Sequence, residues 1–375
     1  MPVTATRIHV GEALVTVTSS TEEVTNWSRR YFGPWWQAFQ VPAESTCAGA
    51  LVVADVDADA YADRARLIDA IPHESATYAR DQMLVATDAE GVVAAYSPAQ
   101  RLAYSSDPRA GRVTITGCDT REVALAAARV ARDLVRVALL RTGWSVLHAS
   151  AVVKDRRTVL AFGSKGAGKS TTALLLAARS GWELLANDRV FARHDSNGGV
   201  QLLPWPSAAA IGLGLLDSLG LYDTVTERLD RGEQLHPTQD QRVSDALEAR
   251  HRAPLWDGSR ELKAQVWPHQ FPHWFGINLA TGGTAAALVF PQIMADAAPD
   301  VSNGTRTVSE GDFMRGQTED RYPDVLGLAG GIDGGGRPEE RDRVARLLAE
   351  LPHHSVVLGH DTEAAAAFLD KLTAV

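Results

Sequence analysis

One stretch constrains this chain more than any other: Gly163-Ser-Lys-Gly-Ala-Gly168-Lys169-Ser170 fits G-x-x-x-x-G-K-[ST] without a gap. The apolar run Val159-Leu-Ala-Phe162 before it reads as a strand, and Thr171–Ala178 after it reads as a helix. A strand, a glycine loop and a helix in that order make a phosphate cradle. Glycines let the backbone curl so that successive N–H groups face phosphate oxygens. The helix adds its positive end. Lys169 would bring a mobile cation to the outer phosphates, and Ser170 a hydroxyl to magnesium. The predicted binding set is therefore Gly163, Ser164, Lys165, Gly166, Ala167, Gly168, Lys169, Ser170 and Thr171, with ATP and Mg2+ as ligands. The motif is silent on what the triphosphate is used for.

A second polar point follows on Glu183-Leu-Leu-Ala186-Asn187-Asp188-Arg189-Val190, read as a strand through to Ala192. The Asn-Asp-Arg trio ends an apolar run, so it emerges where open α/β sheets bind ligands. Asp188 stands 18 residues after Ser170, room for one helix, a turn and a strand. Its carboxylate could be the base for an acceptor hydroxyl, a magnesium ligand, or a carboxylate of the ordinary Walker B kind. His148, in Val146-Leu-His-Ala-Ser, falls inside Ser145–Val153, read as one strand; it is either packed core or part of the site.

The stretch from His148 to Val190 resembles HPr kinase/phosphorylase, whose nucleotide fold is shared with phosphoenolpyruvate carboxykinase. The resemblance rests on a histidine fifteen residues before the first loop glycine, the loop itself, and the strand Leu184-Leu-Ala-Asn-Asp-Arg-Val190. Ile211-Gly-Leu-Gly-Leu-Leu-Asp217 is similar to a further family stretch. It implies catalytic roles for Asp188, His148 and Lys169, and Ser170 and Asp188 as metal contacts. The chain departs from the family where Asn187 replaces the first aspartate of a pair. An amide takes no proton as a carboxylate can, so either the base is Asp188 or the mechanism differs from the family's. Ala209 and Ile211 stand where the family carries an acidic ligand and an arginine. The implied acceptor is a hydroxyl on a peptide, protein or small molecule, including a precursor peptide in a natural-product pathway. The rival reading is an ATP-binding regulator without phosphotransfer. A carboxykinase-type lyase is the third, weakened by the missing lysine and histidine metal ligands.

At 375 residues the chain is long enough for two domains. The predicted fold is α/β: a small α/β domain over residues 1–141 and an HPr-kinase-like P-loop kinase domain over 142–375. In the first, residues 8–18 alternate as one strand, and a helix from Thr21, its cap, runs towards Phe39 with six aromatics. Ala50–Val56, Met83–Ala86, Val92–Ser97 and Arg112–Thr116 read as strands and Arg121–Arg141 as a helix. In the second, Leu288–Phe290 and Ser355–Leu358 read as strands and Thr362–Leu372 as the last helix. Asp223–Arg252, highly charged, is a helical insertion or a loop. Lys263 is a surface lysine or a phosphate contact, and Pro272 disfavours a helix that would align His269 with His273.

A net charge of −9 argues against nucleic acid as a partner. No apolar run is long enough to span a membrane. Cys47 and Cys118 form no ligand spacing, which fits a cytoplasmic protein without disulfides or structural zinc. A homo-oligomer is compatible with the sequence.

Overall fold

Gly11 turns the first alternating stretch back on itself. The chain is described by a computed structural model covering residues 3–43, 49–79, 81–314 and 323–373; Cys47 lies outside these. Instead of one strand over 8–18, β1 (Thr4–Val10) and β2 (Ala13–Ser19) pair antiparallel, Val10 opposite Ala13. Gly11, at φ 52°, takes the left-handed turn that a two-residue hairpin needs. The chain divides into two compact units, residues 1–145 with 314–340 and residues 146–313 with 341–375. By this division the glycine-rich segment, expected within a contiguous domain over 142–375, counts with the first unit. There Ser106 Oγ donates to the Leu326 carbonyl at 2.8 Å and Arg141 Nη2 to the Leu328 carbonyl at 2.9 Å, supplying donors to a loop without a ladder of its own.

The first unit continues with α1 (Glu22–Phe32), β3 (Phe39–Val41), β4 (Ala50–Val56), α2 (Ala58–Asp69), β5 (Glu74–Tyr78), β6 (Asp81–Thr87), β7 (Val93–Ser97), β8 (Leu102–Asp107), β9 (Arg112–Gly117) and α3 (Thr120–Arg141). Its nine strands run β3-β1-β2-β4-β9-β8-β7-β6-β5. Helix α1 ends at Phe32, ahead of Gly33-Pro34, and not near Phe39. Thr21 holds the cap position without a side-chain hydrogen bond. Trp35 and Trp36 beyond the helix are buried, so these aromatics are core.

The second unit holds β10 (Ser145–Leu147, its first residue counted with the first unit), β11 (Ser150–Lys154), β12 (Arg157–Ala161), α4 (Lys169–Arg179), β13 (Glu183–Ala186), β14 (Val190–His194), β15 (Val200–Pro204), β16 (Ala209–Gly212), α5 (Leu213–Ser218), α6 (Tyr222–Asp230), α7 (Gln241–Glu248), β17 (Leu255–Asp257), β18 (Arg260–Val266), α8 (Gln270–Phe275), β19 (Gly283–Ile293), β20 (Asp300–Val301), α9 (Pro338–Ala349, shared with the first unit at its start), β21 (His353–Leu358) and α10 (Thr362–Thr373). The charged stretch 223–252 thus carries two short helices, α6 and α7, with irregular chain between and after them. Among the described residues no helix is long and apolar enough to cross a membrane.

The main sheet of this unit has the order β10-β14-β15-β19-β12-β11-β13, with β21 parallel to β19. Both strands expected to be continuous are broken here, at 148–149 and at 187–189, and each break joins strands far apart in that order. Laid flat, five strand spacings would separate β10 from β11, and β13 from β14, by about 24 Å. The four residue steps from Ala186 to Val190 reach only about 14 Å. The sheet therefore curls until its ends approach, and β13 indeed lies against β15. The core inside includes Leu160, Phe162, Leu185, Leu288 and Leu348. This curl is what brings the two crossovers, and the polar residues on them, to one place.

Candidate active site

The glycine loop leaves β12 at Phe162 and enters α4 at Lys169. Gly168 caps that helix at φ 108°, a backbone open to glycine, and a Cβ there would meet Ile293 Cδ1 at 2.7 Å. Lys169 lies buried in the first turn. Its Nζ donates to the carbonyls of Gly163 at 2.6 Å and Ser164 at 3.3 Å, folding the loop around the ammonium. Ser170 Oγ donates to the Asn187 carbonyl at 3.3 Å, and Ser150 Oγ donates to the same carbonyl. Those hydroxyls hold the crossover 187–189 in place of a strand partner.

The two crossovers meet side chain to side chain. His148 Nε2 lies 3.2 Å from Asp188 Oδ1, and Arg189 Nη1 lies 3.2 Å from Asp188 Oδ2. The Asp188 side chain is 41% exposed, His148 25% and Arg189 17%. Burial would push the Asp188 carboxyl up. The hydrogen bond from His148 and the positive field of Arg189, His148 and Lys169 outweigh it and hold the carboxyl well below the ordinary carboxylate range. Asp188 thus stays ionised within the field of the loop lysine. The structure brings His148, Lys169, Ser170 and Asp188 to one place.

Asn187 is 5% exposed, its side chain turned into the structure. Lys263 lies 3.3 Å from Glu261 on β18, as a surface ion pair. Pro272 does stand inside a helix, contrary to expectation: it falls in the first turn of α8, where its missing N–H is no loss. The rings of His269 and His273 are 6.3 Å apart. No cluster of three His, Cys, Asp or Glu able to hold a metal occurs among the described residues.

Two residues that the sequence did not mark also stand here. Arg306 Nη2 binds Asp312 Oδ1 at 2.5 Å, and the buried Asp312 also accepts from Ser309 N at 2.9 Å. The His148 N–H in turn donates to the Asp312 carbonyl at 2.7 Å. The segment from Val301 to Phe313 has almost no regular structure, so no periodicity could have flagged it.

Neither a family model nor a curated protein sequence matches the chain. Among solved structures, the HPr(Ser) kinase/phosphatase from Coxiella burnetii is similar over 43% of this chain and 66% of that one, at 15% identity and a TM-score of 0.21. A likeness of that degree carries no argument about activity. The chemistry rests on the side chains.

Proposed function

We propose that this chain is an ATP-dependent phosphotransferase, with a P-loop kinase domain of the HPr kinase type, that phosphorylates a hydroxyl on a peptide, protein or small molecule. The observation that carries the proposal is the ionised Asp188, gripped by His148 and Arg189 and lying within the field of Lys169. A nucleotide-binding module can use a carboxylate beside the loop to hold magnesium. A kinase needs one to receive the acceptor O–H.

In the proposed reaction the acceptor oxygen forms a bond to the terminal phosphorus of ATP, the bridging P–O bond breaks, and ADP departs. The acceptor proton passes to Asp188. By itself this carboxylate is a weak base, because cations hold its pKa down. Phosphate charge beside Lys169 would offset those cations and raise its basicity. Phosphoryl transfer also has a loose transition state, so orienting the hydroxyl matters more than early proton removal. Lys169 neutralises the outer phosphates, and His148 keeps Asp188 aimed.

The donor set suits magnesium that arrives with ATP rather than a resident ion: the Ser170 hydroxyl is the protein ligand in this reading, and the Asp188 carboxylate, engaged by His148 and Arg189, is kept for the acceptor proton. Ser170 Oγ donates its proton to the Asn187 carbonyl and keeps its lone pairs for a cation. When bound, the ion would neutralise phosphate charge.

The test is incubation with γ-labelled ATP and hydroxyl acceptors encoded beside this protein's gene, with label transfer read by mass. Transfer to an acceptor hydroxyl supports the reading. Tight ATP binding with no transfer to any of them favours a nucleotide-gated regulator.

A further inference from the structure

We infer that Arg306 is a phosphate-contacting residue of this site, its guanidinium set against the outer phosphates of bound ATP. The inference rests on the kinase reading above and extends it to a residue 136 positions downstream of the loop's Ser170.

Its placement comes from the loop itself. A Cβ built on Gly163 would lie 3.8 Å from Arg306 Nη1 and 3.9 Å from Lys169 Cγ. Arginine and lysine therefore approach the first loop glycine from the same side. Lysine at this motif position reaches the outer phosphates, so the arginine beside it stands at the same end of the cradle.

The side chain is also held for that task. Asp312 engages Nη2, and Asp312 is fixed by the backbone and hydroxyl of Ser309. The guanidinium carbon stands 4.9 Å from the centre of the Phe290 ring, and Phe290 packs on Phe162, the residue before Gly163, at 5.9 Å. One nitrogen is tethered, the guanidinium lies over an aromatic ring, and Nη1 is the nitrogen nearest Gly163. With 40% of the side chain exposed, the group remains open to a ligand. A planar fork fixed in this way suits two phosphate oxygens better than a mobile ammonium does.

Charge gives an independent reason. The chain carries a net −9, yet Lys165, Lys169, Arg189 and Arg306 gather around the loop against Asp188 and Asp312. Cations placed together in an acidic protein are stabilised by an anion between them. A nucleoside triphosphate supplies one.

Titration calorimetry with MgATP and with MgADP tests the inference on wild type, Arg306→Ala and Arg306→Lys. Arg306→Ala is expected to weaken MgATP about 10- to 100-fold, the span of one charge-assisted hydrogen bond, with MgADP changed less than about twofold. Arg306→Lys, which keeps charge without the fork and guards against misfolding of the alanine variant, is expected to recover part of the loss. A wild type that binds neither nucleotide overturns the ATP reading itself. A wild type that binds both, with Arg306 variants that lose neither or lose both equally, overturns the role of Arg306 alone.

Discussion

His148 Nε2 stands 3.2 Å from Asp188 Oδ1, although the two residues lie on separate crossovers of one curled sheet. The contact keeps a partly exposed carboxylate ionised and pointed beside the loop lysine. The same contact has a thermodynamic signature. The folded pKa of Asp188 lies below its unfolded value of about 3.9. Its contribution to stability is therefore fully present above that unfolded value, and is lost as pH falls towards the folded one. Urea unfolding of wild type and Asp188→Asn should show a stability difference that is larger at pH 7 than at pH 3. The effect is modest, because solvent screens a side chain 41% exposed. A difference independent of pH would contradict the depressed pKa.

Lys169 is the residue on which nucleotide affinity should turn. It is buried and donates to Gly163 and Ser164, so its charge is partly dehydrated before any ligand arrives. Lys169→Ala removes the cation facing the outer phosphates and the two bonds that shape the loop. The expected outcome is a loss of MgATP affinity of about 100-fold or more by calorimetry, for charge-assisted bonds worth ~1.5–3 kcal/mol each. The thermal midpoint should move little, since the rest of the core is untouched. Unchanged affinity and turnover would remove the loop from the site.

Stability of the first unit should depend on a buried polar cluster remote from this chemistry. Tyr78 Oη donates to Asp133 Oδ2 at 3.0 Å, and Arg136 Nη2 lies 3.5 Å from Asp133 Oδ1. Arg129 stands over the Tyr78 ring, and burial holds the Tyr78 hydroxyl well above its usual pKa. Asp133→Ala leaves Arg136 buried without this carboxylate. A cost of about 3–5 kcal/mol is expected in denaturant unfolding. A change below ~1 kcal/mol would mean that water or other groups satisfy the arginine.

The parts of this structure legible in the sequence were those written in local pattern. The glycine loop, its entering strand and its leaving helix show in unbroken residue types, and α3 shows in its alanine-rich helical spacing over Thr120–Arg141. The apolar run Ala50–Val56 coincides with β4. Helix α2 was not visible, because among its residues only Ile68 is fully buried and its apolar period is weak. The breaks at 148–149 and 187–189 were hidden for another reason. Both fall in runs whose composition suits a strand, and only the curl of the sheet requires the chain to leave it there. His148 and Asp188 stand out in the sequence, but their meeting is a product of that curl. Arg306 reaches the loop through a bond to Asp312 within an irregular segment, and irregular backbone leaves no period to read.

The central claim is that Asp188 serves transfer rather than nucleotide binding. Asp188→Asn preserves the shape and removes the base. The direct measurement is MgATP affinity and the rate of label transfer from γ-labelled ATP to an acceptor hydroxyl, in the same preparation of wild type and variant. The expected result is ATP affinity kept within a few-fold, with transfer slowed by roughly 10²–10⁴, the usual share of general-base catalysis. A loss of affinity matching the loss of rate, or an ATPase rate that persists unchanged without acceptor, would contradict it.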